Sequence, residues 1–361
     1  MSGCVSGLAP VGWSGGTVAE GKLFIGSEEG RLVSVNLADD ARRWGEAIQR
    51  ASSPGLFGCD PATGGGLGCG GGSAGVPIYG SPIISAGMVY MAGYNGKIYA
   101  YNAETLQPRW VYPREGYVEP FVGGLVESGG RLFVGGSDGH VYALDAATGD
   151  RLWDFRTGDK IWATGAVDGA TFYIGSFDKN LYALNTADGS ERWHYTTGGA
   201  VMATPLVDGG LVYFGSFDRS LYALNTTDGS LKWSFLAEHW FNARPLLAGG
   251  SLYAGCLDGK LYAFDPVTGR EITRFNVENG ISSSPVNVDG KIIFATIEGE
   301  IFSLALATGQ NTLLINLDNA VYGPLTASGE IVYIHLQDMT LQRVNAASGT
   351  LLRSISLKIA E

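Results

Sequence analysis

Charged residues make up only 16% of this 361-residue chain, against roughly 25% in an average soluble domain. The charge that is present leans acidic, net −11 with a pI near 4.9. No run of Lys or Arg could neutralise a row of phosphates, which argues against nucleic acid as a partner. No stretch approaches the roughly 18 apolar residues that cross a bilayer, and no apolar core of a signal peptide is present. The expectation is a soluble chain, or one whose targeting segment has been removed. Histidine and cysteine number four each. The histidines are scattered, with no Ser-His-Asp order around them. The run GGGLGCGGG has no strand and helix to make it a phosphate loop, and no candidate metal site emerges. Two of the cysteines, Cys59 and Cys69, bracket CDPATGGGLGC. A disulfide there would close a short surface loop, contribute about 3 kcal/mol and imply an oxidising compartment. Free thiols in a cytoplasmic loop, or metal binding without a nearby His, are the rival readings. Cys256 replaces a repeat serine inside a strand and is expected as a buried small apolar residue.

What the chain does have is glycine, 55 residues, more than twice the usual share of roughly 7%, and internal repetition. The segment IGSFDKNLYALNTADGSERW (174–193) returns forty residues later as FGSFDRSLYALNTTDGSLKW (214–233). Anchored on the second residue of the LYALN-type segment, the register runs Val33, Tyr99, Tyr142, Tyr182, Tyr222, Tyr262, Phe302 and Gln342, at spacings of 66, 43 and then 40 five times. Each of the eight units alternates short apolar runs with Asp/Gly turns, which reads as a meander of four antiparallel strands of four to six residues. One such sheet is apolar on both faces and needs a like neighbour on each side. Closing the units radially supplies those neighbours, whereas a linear stack would need polar capping repeats that are not seen. The predicted fold is all-β: a single eight-bladed β-propeller over 12–357, with tails at 1–11 and 358–361 and a glycine-rich insertion at 45–76 between the first two blades.

The stretch YALDAATGDRLWDF (142–155) resembles the tryptophan-docking motif of the pyrroloquinoline-quinone (PQQ) type eight-bladed propellers, a superfamily containing quinoprotein alcohol dehydrogenases and BamB-like outer-membrane assembly lipoproteins. The docking residues are Trp44, Trp110, Trp153, Trp193 and Trp233, each eight residues after the Asn or Asp that ends the third strand. Each is expected to reach across a blade seam, with the turn glycines Gly149, Gly189 and Gly229 offering it a flat surface. The last three units depart from the pattern with Thr273, Leu313 and Arg353.

Function has to come from sites, because propellers host unrelated activities. The repeat register places an apolar residue at the first position of almost every expected innermost strand (Ile78, Phe121, Ile161 and their equivalents, with Gly12 in the first unit) and nothing larger than serine at the third. The second position is irregular: Trp13, Tyr79, Val122, Trp162, Met202, Asn242, Ser282 and Tyr322. Loops carrying Arg114 and Glu119, or Glu238, His239 and Trp240, are expected to ring the same mouth. Trp13, Tyr79, Glu119, Trp162, His239, Trp240, Asn242, Arg244 and Tyr322 are therefore the candidate ligand- or partner-binding residues. The alternative is that the aromatics plug the axis and nothing binds. A ring of acids and amides between the second and third strands (Glu29, Asn95, Asp138, Asp178, Asp218, Asp258, Glu298, Asp338) suits a cation or basic partner, but turn chemistry explains it more cheaply. Tyr94, Phe177, Phe217 and Leu257 beside them are a candidate apolar rim. The insertion is expected over the same mouth.

The resemblance implies two classes of function. One is a non-catalytic extracytoplasmic scaffold, periplasmic or at the cell surface, a monomeric propeller holding a protein or peptide partner in an envelope or membrane-associated complex. In that reading MSGC looks like the end of a lipobox, with Cys4 the acylated residue. The other is a PQQ-dependent dehydrogenase with PQQ and calcium as cofactors, or a small-ligand or sensor propeller. A quinoprotein needs hard oxygen ligands for calcium and an Asp base. Asn242 and Glu119 are the only candidates, and the adjacent cysteine pair common in that family is missing. The reading is accordingly a non-enzyme with no cofactor.

Overall fold

The computed structural model describes residues 14–27, 29–48 and 76–358. Among these there is no helix, and the strands form eight four-stranded antiparallel sheets, each built from four consecutive strands. The sheets span 17–44, 83–112, 126–156, 166–196, 206–236, 246–276, 286–316 and 326–356, here blades 1 to 8. Blade 4 shows the pattern, with Ala166–Asp168, Thr171–Gly175, Asn180–Asn185 and Glu191–Thr196 in order from the axis outward.

The core is divided among the seams. Eight clusters of buried side chains each draw on two adjacent blades, as when Phe133, Val141 and Trp153 of blade 3 meet Phe172, Ile174 and Tyr182 of blade 4. That follows from sequence: the alternating strands put apolar residues on both faces of every sheet, and only a neighbouring blade can cover each face. The ring closes between blades 8 and 1 without strand exchange, since each sheet keeps its own four strands. Leu23, Val33, Tyr333, Leu341 and Ile355 pack across that seam. Thr326 Oγ1 donates to Gly16 O, and His335 Nδ1 bonds Ser14 O at 2.9 Å.

Two expectations are corrected. The innermost strands are three residues long and begin about five residues later than the repeat register suggested: Ile83–Ser85, not a strand through Ile78. The segment containing Ile78, Phe121 or Ile161 is an extended lead-in that crosses the top of its blade. Its apolar first residue is buried against the preceding blade's second strand, so apolarity there signalled burial without strand pairing. The small third residues are needed because lead-ins touch around the axis: a Cβ on Gly123 would lie 2.3 Å from Ala163 O.

The second correction is Trp44. Trp110, Trp153, Trp193 and Trp233 dock as expected, their indole N–H groups donating to Ala146, Thr186, Thr226 and Pro266 O of the next blade at 2.9–3.1 Å. Each ring lies on a turn glycine of that blade, so that a Cβ on Gly149 would come within 2.5 Å of Trp110. These outer strands carry a β-bulge that sets Trp153 opposite Ala143. Blade 1 lacks it: Ser34 faces Arg43 and Trp44 faces Val33, one residue out of step. A one-residue shift turns the side chain to the other face of the sheet. Trp44 therefore packs with the blade 8/1 cluster, and its indole nitrogen has no partner among the described residues.

Candidate functional site: the axial channel and its loop-bearing face

The lead-ins and the turns between second and third strands lie on one face, tied by bonds such as Phe177 N–H to Lys160 O, Phe217 N–H to Ala200 O and Leu257 N–H to Trp240 O. The remaining turns occupy the other face, where Thr186 N–H donates to Ala170 O. On the lead-in face the channel opens into a cavity of about 180 Å³ lined by Tyr79, Trp162, Met202, Asn242, Arg244 and Tyr322, among others. Below it a second cavity of about 310 Å³ runs between the innermost strands. Both share Ser81, Gly124, Thr164, Thr204, Arg244, Ser284 and Pro324, the fourth residue of each lead-in, so they are two halves of one passage joined at that ring.

Five of the sequence-derived candidates, Tyr79, Trp162, Asn242, Arg244 and Tyr322, thus converge on the channel. Three others do not line it. Glu119 is exposed on its loop. His239 is exposed, and its Nδ1 accepts the Trp240 N–H at 2.8 Å. Trp240 lies flat on Phe217, centroids 4.2 Å apart and planes 7° off parallel. Arg114 is turned outward onto Asp150 of the next blade at 2.7 Å, away from the mouth. Trp13, Cys4, Cys59 and Cys69 lie outside the described residues. The ends of the insertion are placed: Ile48 and Val76 are buried in the blade 1/2 seam, and Ile48 N–H donates to Gly30 O on the lead-in face.

Two of the four candidate rim residues, Phe177 and Phe217, prove to be members of an aromatic row across blades 4 to 6, while Tyr94 packs edge-on against Tyr79 on blade 2 and Leu257 is not part of the row. Trp162 meets Phe177 edge-on at 5.0 Å, Phe177 meets Phe217 at 6.5 Å, and Phe217 stacks on Trp240. Lys160 Nζ sits 4.2 Å over the Trp162 ring and 4.5 Å over Phe177. Trp162 is held upright by its N–H bond to Ser137 Oγ. All four aromatics are only half-buried. Sequence reasoning named the members singly. Their alignment depends on each turn sitting beside its own lead-in, which the repeat spacing alone does not reveal.

The aspartates of the acidic ring serve the turns, each accepting from the N–H two residues on. Asp178 accepts from Asn180 N–H, Gly158 N–H and Tyr182 OH, and Asp218 from Ser220 N–H, Gly198 N–H and Tyr222 OH. Burial, with the neighbouring carboxylate adding to it, pushes the Tyr182 and Tyr222 hydroxyls up to about 12, so they remain donors at any physiological pH. Cys256 is fully buried, its Sγ bonded to His239 O, and burial raises its pKa to about 12.

Among the described residues, Arg244 is the only ionisable group other than tyrosine in either half of the channel. Its backbone N–H donates to Ser284 Oγ at 3.1 Å. Its side chain is open to the channel water yet ringed by protein, and that enclosure lowers its pKa from the ordinary arginine value, leaving it charged at neutral pH.

The family model described as outer membrane protein assembly factor BamB matches residues 29–163 and 137–354. The chain belongs to that family. A solved structure of BamB from Moraxella catarrhalis is similar at a TM-score of 0.67 and 22% identity, covering 78% of this chain and 88% of that one. A computationally designed protein, Ika8, is also similar, at a TM-score of 0.67 and 18% identity over 77% of this chain and 86% of that one. Likeness at those identities speaks to the fold alone. Comparison with curated proteins gave no match.

The superfamily's other branch would place PQQ and calcium in the channel. The described lining offers hydroxyls, an amide and a guanidinium, with no carboxylate to hold a calcium ion. Among the described residues no group of three His, Cys, Asp or Glu could hold a metal. This donor set does not fit a calcium-assisted quinone.

Proposed function

We propose that this BamB-family propeller is a non-catalytic scaffold of the bacterial envelope, holding a protein partner on its lead-in face across blades 4 to 6. The observation that carries the reading is the row Trp162, Phe177, Phe217 and Trp240, half-buried and locked by mutual stacking. Rigid aromatics lose little side-chain entropy on binding, and tryptophan is enriched among residues that dominate interface energy. The roots of the glycine-rich insertion, Ile48 and Val76, are on the same face. An outer-membrane protein assembly complex is the partner class suggested by the family description. Periplasmic placement and acylation of Cys4 belong to the same proposal.

The test is co-purification from envelope fractions of the native host. Phe217→Ala and Trp240→Ala should lose the assembly complex by tenfold or more while melting cooperatively as propellers. Retention of the complex by both variants would remove this face from the interaction.

A further inference from the structure

We propose that the ring of side chains around Arg244 is a seat for a carboxylate inside the axial channel. The lead-in register sets eight residues at one level, and seven of them line both halves of the passage. Four are hydroxyls: Ser81, Thr164, Thr204 and Ser284. Thr164 Oγ1 accepts the Gly124 N–H at 2.7 Å and Ser284 Oγ accepts the Arg244 N–H at 3.1 Å. A hydroxyl that accepts from the backbone still has its own proton to donate. Those protons are available to the channel, as are the Ser81 and Thr204 hydroxyls, which have no partner among the described residues.

Among the described residues the Arg244 guanidinium also makes no hydrogen bond or ion pair, and no described carboxylate lines either cavity. A cation kept in a protein-walled passage without a counter-ion forgoes part of its hydration, and an incoming anion recovers that loss. A guanidinium with a ring of O–H donors and no competing acceptor is complementary to a carboxylate, which takes two parallel N–H bonds and further donors on its remaining lone pairs. The apolar wall below, with Ile83, Leu246, Val286 and Leu325, keeps the dielectric low and strengthens that attraction. The carboxylate comes either from a free small acid or from an acidic side chain or C-terminus threaded into the mouth. This inference does not depend on the partner reading above.

The experiment follows the Arg244 Nε resonance and the melting temperature of the purified protein. Malonate and citrate, and separately a short peptide ending in aspartate, are titrated against chloride at equal ionic strength. Malonate should shift the Arg244 Nε signal and raise the melting temperature. Arg244→Gln should weaken binding at least tenfold, Thr204→Val several-fold, and Arg114→Gln not at all. A peptide binding tenfold or more tighter than malonate would assign the seat to a threaded chain, and the reverse order to a free acid. An unmoved Nε signal up to 50 mM acid (a range set on the order of weak carboxylate affinities), or equal binding by Arg244→Gln, would overturn the proposal. Loss of this seat with the envelope complex still bound would leave the scaffold reading intact.

Discussion

Half of the ring is held by docked indoles and half is not. Seams 2/3, 3/4, 4/5 and 5/6 each carry a tryptophan lying on the next blade's turn glycine and bonded to its turn carbonyl. At seam 6/7 Thr273 stands in the docking position and Gly309 has nothing within 4 Å. Seam 7/8 has Lys291 Nζ reaching the Ala346 and Ala347 carbonyls. At seam 8/1 the turn glycine is replaced by Asp40, whose carboxylate takes both arms of Arg343 at 2.6 and 2.9 Å. Seam 1/2 replaces it with Leu106, buried in the cluster, while Lys22 pairs with Glu104 and Arg43 donates to Glu104 O. Asp40 and Leu106 both adopt the left-handed conformation that glycine takes elsewhere, at φ 61° and 56°. Each accepts roughly 1–2 kcal/mol of strain for what its side chain does. The lesson is that one blade geometry tolerates two kinds of seam: apolar docking that ignores salt, and polar contacts that do not. The aromatic row lies on blades 4 to 6, mostly within the docked half, so the candidate partner surface rests on the more rigid arc.

The contrast can be broken at its strongest point first. Trp153→Ala should destabilise the protein by about 3–5 kcal/mol, whereas Trp44→Ala, lacking the dock, should lose only about 1 kcal/mol, both read by urea unfolding. Equal losses would mean that the bulge does not decide docking. Next, Arg343→Met leaves Asp40 unpaired in a partly buried seam, for about 2 kcal/mol. Hydrogen exchange should then quicken in blades 8 and 1 while blades 3 to 5 keep their protection. Raising salt towards 1 M, where the Debye length falls to about 3 Å, should lower protection at the same seam and spare the docked ones.

A pH effect sharpens the comparison further. Burial lowers the pKa of His335 below 6.5, opposed in part by its bond to Ser14 O and by Asp338. The unfolded chain therefore takes up this proton first as pH falls. The stability that comes with a neutral His335 is complete above about pH 6.5 and is lost below it, by up to about 1.4 kcal/mol per pH unit. His335→Gln should remove that part of the acid sensitivity between pH 7 and 5, measured by urea midpoints, and an unchanged slope would contradict it. The smallest difference is expected between two alanines. Gly149→Ala meets Trp110 at 2.5 Å and should displace it, costing about 2 kcal/mol or more. Gly309→Ala finds open space and costs only the left-handed backbone, about 1 kcal/mol.

The eight-unit ring was legible because a forty-residue period repeats both the turn residues and the strand alternation, and four docking tryptophans followed from it. Trp44 was misplaced because its distance from Asn36 matches the others while the bulge that turns the ring depends on strand pairing. The lead-ins were taken for strands because burial against a neighbouring blade produces the same apolar signal as pairing within one. The mouth residues Tyr79, Trp162, Asn242 and Tyr322 were found from irregularity at one register position, and Arg244 from its place two residues after Asn242. The hydroxyls that ring the channel at the level of Arg244 were missed, although Ser81, Thr164, Thr204 and Ser284 stand at the place equivalent to Arg244 in their own repeats. Stepping two residues further along each unit would have revealed them.

The measurement that bears most directly on the account is site-specific photo-cross-linking in the native host. A photoreactive residue is placed at Phe217 on the lead-in face or at Asp188 on the opposite face, and adducts are identified by mass. The account predicts an adduct between position 217 and an outer-membrane assembly component, and none from position 188. An adduct to that component from position 188 alone would contradict it.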